Sequence, residues 1–262
     1  MAQILLQNDS NQLDMEEYIL FNILRQKSNL VHTYNRIGID QLEACYKTKG
    51  LIPIGTIEFV TKYLANTEDF KTEVPIEIPK YLQTEEFLHR DYKIVTSDKV
   101  PRQGEFFLKD VSQLKCFGSL VDTLWLDIDR LFTPIDENKF STELRLDSNH
   151  LYQVSSKLDI KSEYRVYVIN NKISNIINYN GDVTLFPDIS IINKANLLIE
   201  YNEKWLKSYT IDIAVGYFGT ALLEIHNFTS VGLYSTLWGA NLVDAYIDGI
   251  HYILNDNSIK YL

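Results

Sequence analysis

The chain has 262 residues, 45% of them hydrophobic, enough for one large or two modest domains around a sizeable core. Its formal net charge of -10 argues against a broad surface for nucleic-acid phosphates, although a nucleotide end is small and needs no such surface. No apolar run approaches the roughly 20 residues that span a bilayer, the opening MAQILLQNDS lacks the pattern of a signal peptide, and Cys45 and Cys116 form no CxxC. A cytoplasmic protein is expected, with no membrane partner, disulfide framework or zinc site.

Residues 1–98 read as an α/β unit. AQILLQ is strand-like, and MEEYILFNILRQ (15–26) has helical spacing with Tyr18, Phe21, Ile23 and Leu24 near one face. LIPIGTIEFVTKYLANT then carries a turn at Pro53-Ile54-Gly55 and a helix with Thr56 as N-cap. Residues 99–150 hold GEFFLKDVSQLKCFGSLV, in which Phe106, Phe107 and Leu108 form a strand ending at Lys109, and a short apolar element, TLWLDIDRLF. Residues 151–262 hold a hairpin turning at Asn170-Asn171, with Val166 and Val168 on one strand and Ile173, Ile176 and Ile177 on the other. They continue with a helix in FPDISIINKANLLIEYNEKWL, a second strand pair in YTIDIAVGYFGTALLEIHNF, and a final helix, NLVDAYIDGIHYIL.

Five charged residues stand on strand-like segments: Lys109, Glu163, Arg165, Asp212 and Glu224. Strand alternation puts Glu163 with Arg165 on one face, and Glu224 with His226 on one face. Acidic side chains offer oxygen to a hard cation while Lys and Arg meet phosphates, so this set suits a magnesium nucleotide. Each member alone also has an ordinary reading: an exposed ion pair, a turn cap, a strand-end lysine, a structural histidine. Lys115 reads as solvated and Cys116 as an inert core residue. No Walker A, Rossmann or kinase pattern is present.

In their order and spacing these segments resemble the ATP-grasp superfamily over roughly residues 100–240. FFLKDVSQLKCFGSL is similar to its lysine strand and phosphate-covering loop, SEYRVYVINNKISNIINYNGD to its arginine hairpin, and YTIDIAVGYFGTALLEIHNFTSVGLY to its paired metal strands. IPIGTIEFV (52–60) is similar to a subgroup found in phages and bacteria. The resemblance implies an α+β fold in which two α/β subdomains (99–150 and 151–262) grip a nucleotide between antiparallel sheets, behind an N-terminal α/β domain (1–98). It implies ATP and Mg²⁺ as cofactors. Lys109 and Arg165 would be catalytic; Lys109, Lys115, Val154, Ser155, Glu163 and Arg165 would contact the nucleotide, the backbone of QVSS (153–156) meeting adenine. Asp212 and Glu224 would hold the metal.

The family usually shows Glu-x-Asn where this chain has Glu224, His226 and then Asn227. Both His226 and Asn227 are candidates for the further metal position; alternation favours His226, although imidazole is a poorer Mg²⁺ ligand than an amide oxygen. The activity implied is an ATP-dependent ligase that makes an acylphosphate and passes it to an amine or thiol, on a small molecule or peptide. The alternative is a non-catalytic nucleotide-binding or structural module with the same fold. The oligomeric state is open, a homodimer included.

Overall fold

The computed structural model describes residues 2–8, 15–25, 32–68, 78–111, 118–132, 146–229, 231–235, 238–239 and 241–255. Three sheets organise them. The first is parallel, in the order β2 (Thr33–Ile37), β1 (Gln3–Gln7), β3 (Leu51–Ile54). Its middle strand is an unbroken apolar run, Ile4-Leu5-Leu6, as a parallel strand covered on both faces requires. Helices α1 (Met15–Arg25) and α2 (Ile57–Thr67) share its core through Leu20, Leu24, Phe59, Val60, Tyr63 and Leu64. Thr56 caps α2 as expected, its hydroxyl oxygen accepting from the Phe59 N–H at 3.3 Å.

Two local expectations need correction. Pro53 lies within β3 rather than in a turn; β3 is an edge strand, where a proline need not cost a ladder hydrogen bond. Helix α1 buries Ile19, Leu20 and Leu24, while Tyr18 is exposed and Phe21 packs edge-on against Tyr34. The apolar stripe is wide enough to fit two faces, and the strand beside the helix decides between them.

The second sheet is antiparallel, in the order β11 (Gly219–Asn227), β10 (Tyr209–Gly216), β8 (Ile160–Ile169), β9 (Lys172–Gly181). Asn170 (φ 50°) and Asn171 (φ 62°) make the expected two-residue turn between β8 and β9, in the left-handed region that asparagine tolerates. Helix α5 (Ile189–Asn202), N-capped by Asp188, packs Ile192, Ala195 and Ile199 on one face of this sheet. The opposite face carries the charged residues.

The third sheet is antiparallel too: β4 (Tyr92–Thr96), β7 (Leu151–Ser155), β5 (Glu105–Asp110), β6 (Gly118–Asp122). Phe106, Leu108, Val121 and Tyr152 form its core with Ile128 and Leu131 of a one-turn helix, α4 (Ile128–Leu131). Both expected boundaries, at 98/99 and 150/151, cut through the unit built on this sheet, because β4 and β7 pair with each other across more than fifty residues of chain. The last helix, α6 (Asn241–Asn255), likewise joins the core of the first sheet through Leu242, Tyr246 and Ile250. Pairings of such long range leave no local mark in the sequence.

Helix α6 also fixes the end of β11. A Cβ added at Gly249 would lie 2.7 Å from the carbonyl carbon and 2.9 Å from the nitrogen of Phe228. Alanine is the better helix former by about 1 kcal/mol, yet pushing helix from turn costs about 1–3 kcal/mol. Gly249→Ala is therefore expected to lower the urea midpoint of unfolding; an unchanged or higher midpoint would show that the contact is loose.

Candidate functional site

Arg165, Asp212 and Glu224 are register partners on three neighbouring strands, Asp212 opposite Arg165 of β8 on one side and Glu224 of β11 on the other. Directly paired residues share a face, so the three side chains form one row. The Arg165 guanidinium donates twice to Asp212, from Nε to Oδ1 at 2.7 Å and from Nη2 to Oδ2 at 2.8 Å. Burial draws this guanidinium down, but the hydrogen bonds and charge of Asp212 outweigh that and leave it above its ordinary value. The pair is 12% and 10% exposed; at such burial, removing either partner alone costs about 3–5 kcal/mol.

Lys109 reaches the row from the third sheet, its ammonium paired with Glu224. This ion pair ties the two antiparallel sheets together across a cleft of about 500 Å³, which Lys109, Gln153, Ser155, Glu163, Asp212 and Glu224 line. His226 contacts the second oxygen of Glu224. Asp212, Glu224 and His226 each offer a ligand atom within 4.8 Å of the others. Two carboxylates suit a hard divalent cation such as Mg²⁺ through oxygen; the imidazole is the weaker donor to it.

The other expected residues fall as follows. Glu163 lines the cleft and accepts from the Tyr179 hydroxyl at 3.0 Å and the Asn180 amide at 2.6 Å, while Arg165 pairs with Asp212 rather than with Glu163. Asn227 turns to the opposite face, where its Oδ1 accepts from the Thr229 N–H at 3.2 Å and from the Thr229 hydroxyl, so it closes a turn instead of joining the cluster. Gln153, Val154 and Ser155 sit in the middle of the third sheet, paired on both sides, and the Ser156 N–H bonds the Asp91 carbonyl. Their backbone is thus engaged in the ladder; Ser155 reaches the cleft by its side chain, Val154 packs on the core of its own sheet, and the chain leaves that sheet only from Ser156 onward. Lys115 lies outside the described residues.

Three residues beside the row, Tyr179, Tyr234 and Arg90, carry no signal in the sequence. Tyr179 and Tyr234 stack at 5.0 Å between centroids, and the Arg165 guanidinium lies 5.0 Å from the Tyr234 ring and 5.8 Å from that of Tyr179. Burial, then the charges of Asp212 and Glu163, push the Tyr179 hydroxyl up. Arg90 lines the cleft. A tyrosine or arginine amid other polar residues has no periodic pattern, so these three need the fold to be seen. Gln153, expected for its backbone alone, is buried beside Lys109, its register partner, and lines the cleft as well.

The segment after β11 is held from three directions. The Gly232 carbonyl accepts from the Tyr167 hydroxyl at 2.7 Å and from Arg165 Nη1 at 3.3 Å. Glu16 accepts from the Leu233 N–H at 3.0 Å, and the Tyr246 hydroxyl donates to the Val231 carbonyl at 3.1 Å. A Cβ at Gly232 would lie 3.4 Å from the Arg165 guanidinium, in ordinary van der Waals contact.

The profile of a family described as an ATP-grasp domain, the second family of its clade, matches residues 87–239, which include every candidate site residue. Comparison with curated proteins finds no match. Among solved structures the chain is similar to the ATP-grasp ligase PsnB complexed with a minimal precursor, at 12% identity over 95% of this chain and 99% of that one, TM-score 0.54. It is similar to D-cycloserine synthetase DcsG, at 10% identity over 96% and 100%, TM-score 0.54. It is also similar to D-alanine–D-alanine ligase from Bacillus anthracis, at 13% identity over 97% and 95%, TM-score 0.51. At these identities the likeness is one of fold. The family match spans more than half of the sequence, and the chain belongs to this ATP-grasp domain family.

Proposed function

We propose that this chain is a Mg²⁺- and ATP-dependent ligase that activates a carboxylate as an acylphosphate and passes the acyl group to an amine. The observation that carries this reading is the row Arg165–Asp212–Glu224 facing Lys109 across the cleft. Both signs of charge stand there on rigid strands, so little reorganisation is needed when a phosphate and a metal enter. Asp212 and Glu224 would hold Mg²⁺, which when bound supplies charge neutralisation at phosphate oxygens. Lys109 and Arg165, now engaged by those carboxylates, would turn to the phosphates.

In the first step a carboxylate oxygen of the substrate attacks the γ-phosphorus. The bond from that phosphorus to the β–γ bridging oxygen breaks, and ADP leaves with the electron pair. In the second, an amine nitrogen attacks the acyl carbon, phosphate departs and the amine gives up a proton. The chain's contribution is to orient the reactants and neutralise charge.

A second cavity, of about 220 Å³, is lined by Glu16, Glu17, Thr56, Gly232 and Tyr246 among others. Its carboxylates fit an acceptor that carries a cationic amine, and its Gly232 wall is hydrogen-bonded to Arg165. The precursor named for PsnB supports a peptide as one substrate class. A second reading, a nucleotide-binding module without catalysis, is favoured by one observation: His226 stands in the Glu224 cluster while Asn227 is engaged by Thr229.

Incubation with Mg²⁺-ATP, pooled amino acids and short peptides, and hydroxylamine as a trap should release ADP together with hydroxamates. Arg165→Ala and Lys109→Ala should each lower that release by about 100-fold or more. Formation of AMP instead of ADP, or release undiminished in both variants, would contradict the mechanism; nucleotide binding with no turnover would favour the second reading. His226→Asn, which supplies an amide oxygen in place of the imidazole, should lower the Mg²⁺ concentration needed for half-maximal nucleotide binding. No change there would place His226 away from the metal.

A further inference from the structure

Glu224 owes its place in the cleft to an irregularity of β11. Asp212 pairs with Glu224, but the next residue, Ile213, pairs with Leu222, so Leu223 is an extra residue on β11. In an unbroken strand Leu222 and Glu224 would share a face. With the bulge, Leu222 is fully buried in the core beneath the sheet, beside Ile213 and Ile225, while Leu223 and Glu224 both line the cleft. Bulges re-aim side chains in this way.

Among the described residues the bulge lies on an edge strand, with no further strand on its outer side. Arg90 occupies that side. Its Nη1 donates to the Leu222 carbonyl at 2.7 Å and its Nη2 to the Leu223 carbonyl at 3.4 Å; Nη1 also donates to the Leu88 carbonyl at 3.2 Å. The short helix α3 (Glu85–Leu88) packs on β11, and His89, left-handed at φ 49°, turns the chain between that helix and Arg90. Burial draws the Arg90 guanidinium down to about 10, which leaves it charged at neutral pH. The three hydrogen bonds described for this half-buried cation all go to backbone carbonyls, two of them at the bulge. Withdrawing a charge even partly from water has a cost, and here the guanidinium is directed at the stretch of backbone that sets which way Glu224 points.

We propose that Arg90 is a positioning residue: by holding the Leu222–Leu223 bulge it aims the Glu224 carboxylate into the cleft. The metal part of this rests on the reading given above, in which Glu224 holds Mg²⁺. Arg90 also lines the cleft, so the competing role is direct contact with a nucleotide phosphate, and the experiment separates the two.

The wild-type chain and Arg90→Ala are compared by calorimetric titration with ADP, once in EDTA and once with Mg²⁺, and by amide hydrogen exchange. In Arg90→Ala, exchange should rise at residues 222–225 and stay unchanged in α5. Affinity for ADP in EDTA should remain within about twofold of wild type, while the gain in affinity on adding Mg²⁺ should fall by about tenfold or more. If Arg90→Ala does not fold, Arg90→Gln, which keeps one donor and loses the charge, should give the same changes at smaller size. Unchanged exchange at 222–225 would overturn the proposal, and so would a loss in EDTA as large as that with Mg²⁺, the mark of a phosphate contact. If the wild type shows no gain with Mg²⁺, the metal reading itself fails, and exchange at 222–225 still decides whether Arg90 holds the bulge.

Discussion

A carboxylate set among apolar strands must meet a positive charge, and this requirement organises the site. Asp212 lies on a strand buried along nearly its whole length, between Ile211 and Ile213. Its compensation is the two-pronged hydrogen bond from Arg165 on the next strand. Glu224, on the other side of Asp212, takes its charge from Lys109, which belongs to a different sheet. The same carboxylates that suit a divalent cation therefore also tie the two antiparallel sheets together. In the functional reading proposed here, metal and nucleotide replace these internal partners: the cation takes the carboxylates, and the freed lysine and arginine take the phosphates. The internal pairs keep the charges neutral in the meantime and keep the basic groups within reach.

Two features extend this row to its surroundings. The first is the segment after β11, whose Gly232 carbonyl accepts from Arg165 and Tyr167, and whose Leu233 N–H is taken by Glu16 of the N-terminal unit. Arg165 thus links Asp212, which lines the cleft, to the Gly232 wall of the neighbouring cavity and, through that segment, to Glu16 of α1. The second is the bulge in β11, which lets Leu222 serve the core while Glu224 serves the cleft. The stacked rings of Tyr179 and Tyr234 both lie beside the Arg165 guanidinium.

Much of this was legible in the sequence because the signals are local. The Asn170-Asn171 turn, the Thr56 cap and the strand carrying Lys109 follow from backbone and side-chain chemistry that acts over a few residues. The same-face placement of Glu224 and His226 survives because the bulge falls before Glu224, at Leu223. What stayed hidden depends on distant pairing. Strand β4 joins β7, so the segment boundaries were misplaced. The pairing of Arg165 with Asp212, instead of with its strand neighbour Glu163, is a cross-strand fact. The backbone of Val154 is unavailable because its strand lies in the middle of a sheet, which no residue type announces. Arg90 looks like any surface arginine until an edge strand is laid beside it.

Whether this charged row is a magnesium-nucleotide site is decided by calorimetric titration of ATP into the wild type with Mg²⁺, alongside Glu224→Gln. Binding to the wild type should depend on Mg²⁺, and that dependence should be lost in the variant, which removes one carboxylate charge from the row. Absence of binding to the wild type at millimolar ATP, or equal binding by the variant, would contradict a magnesium-nucleotide site there.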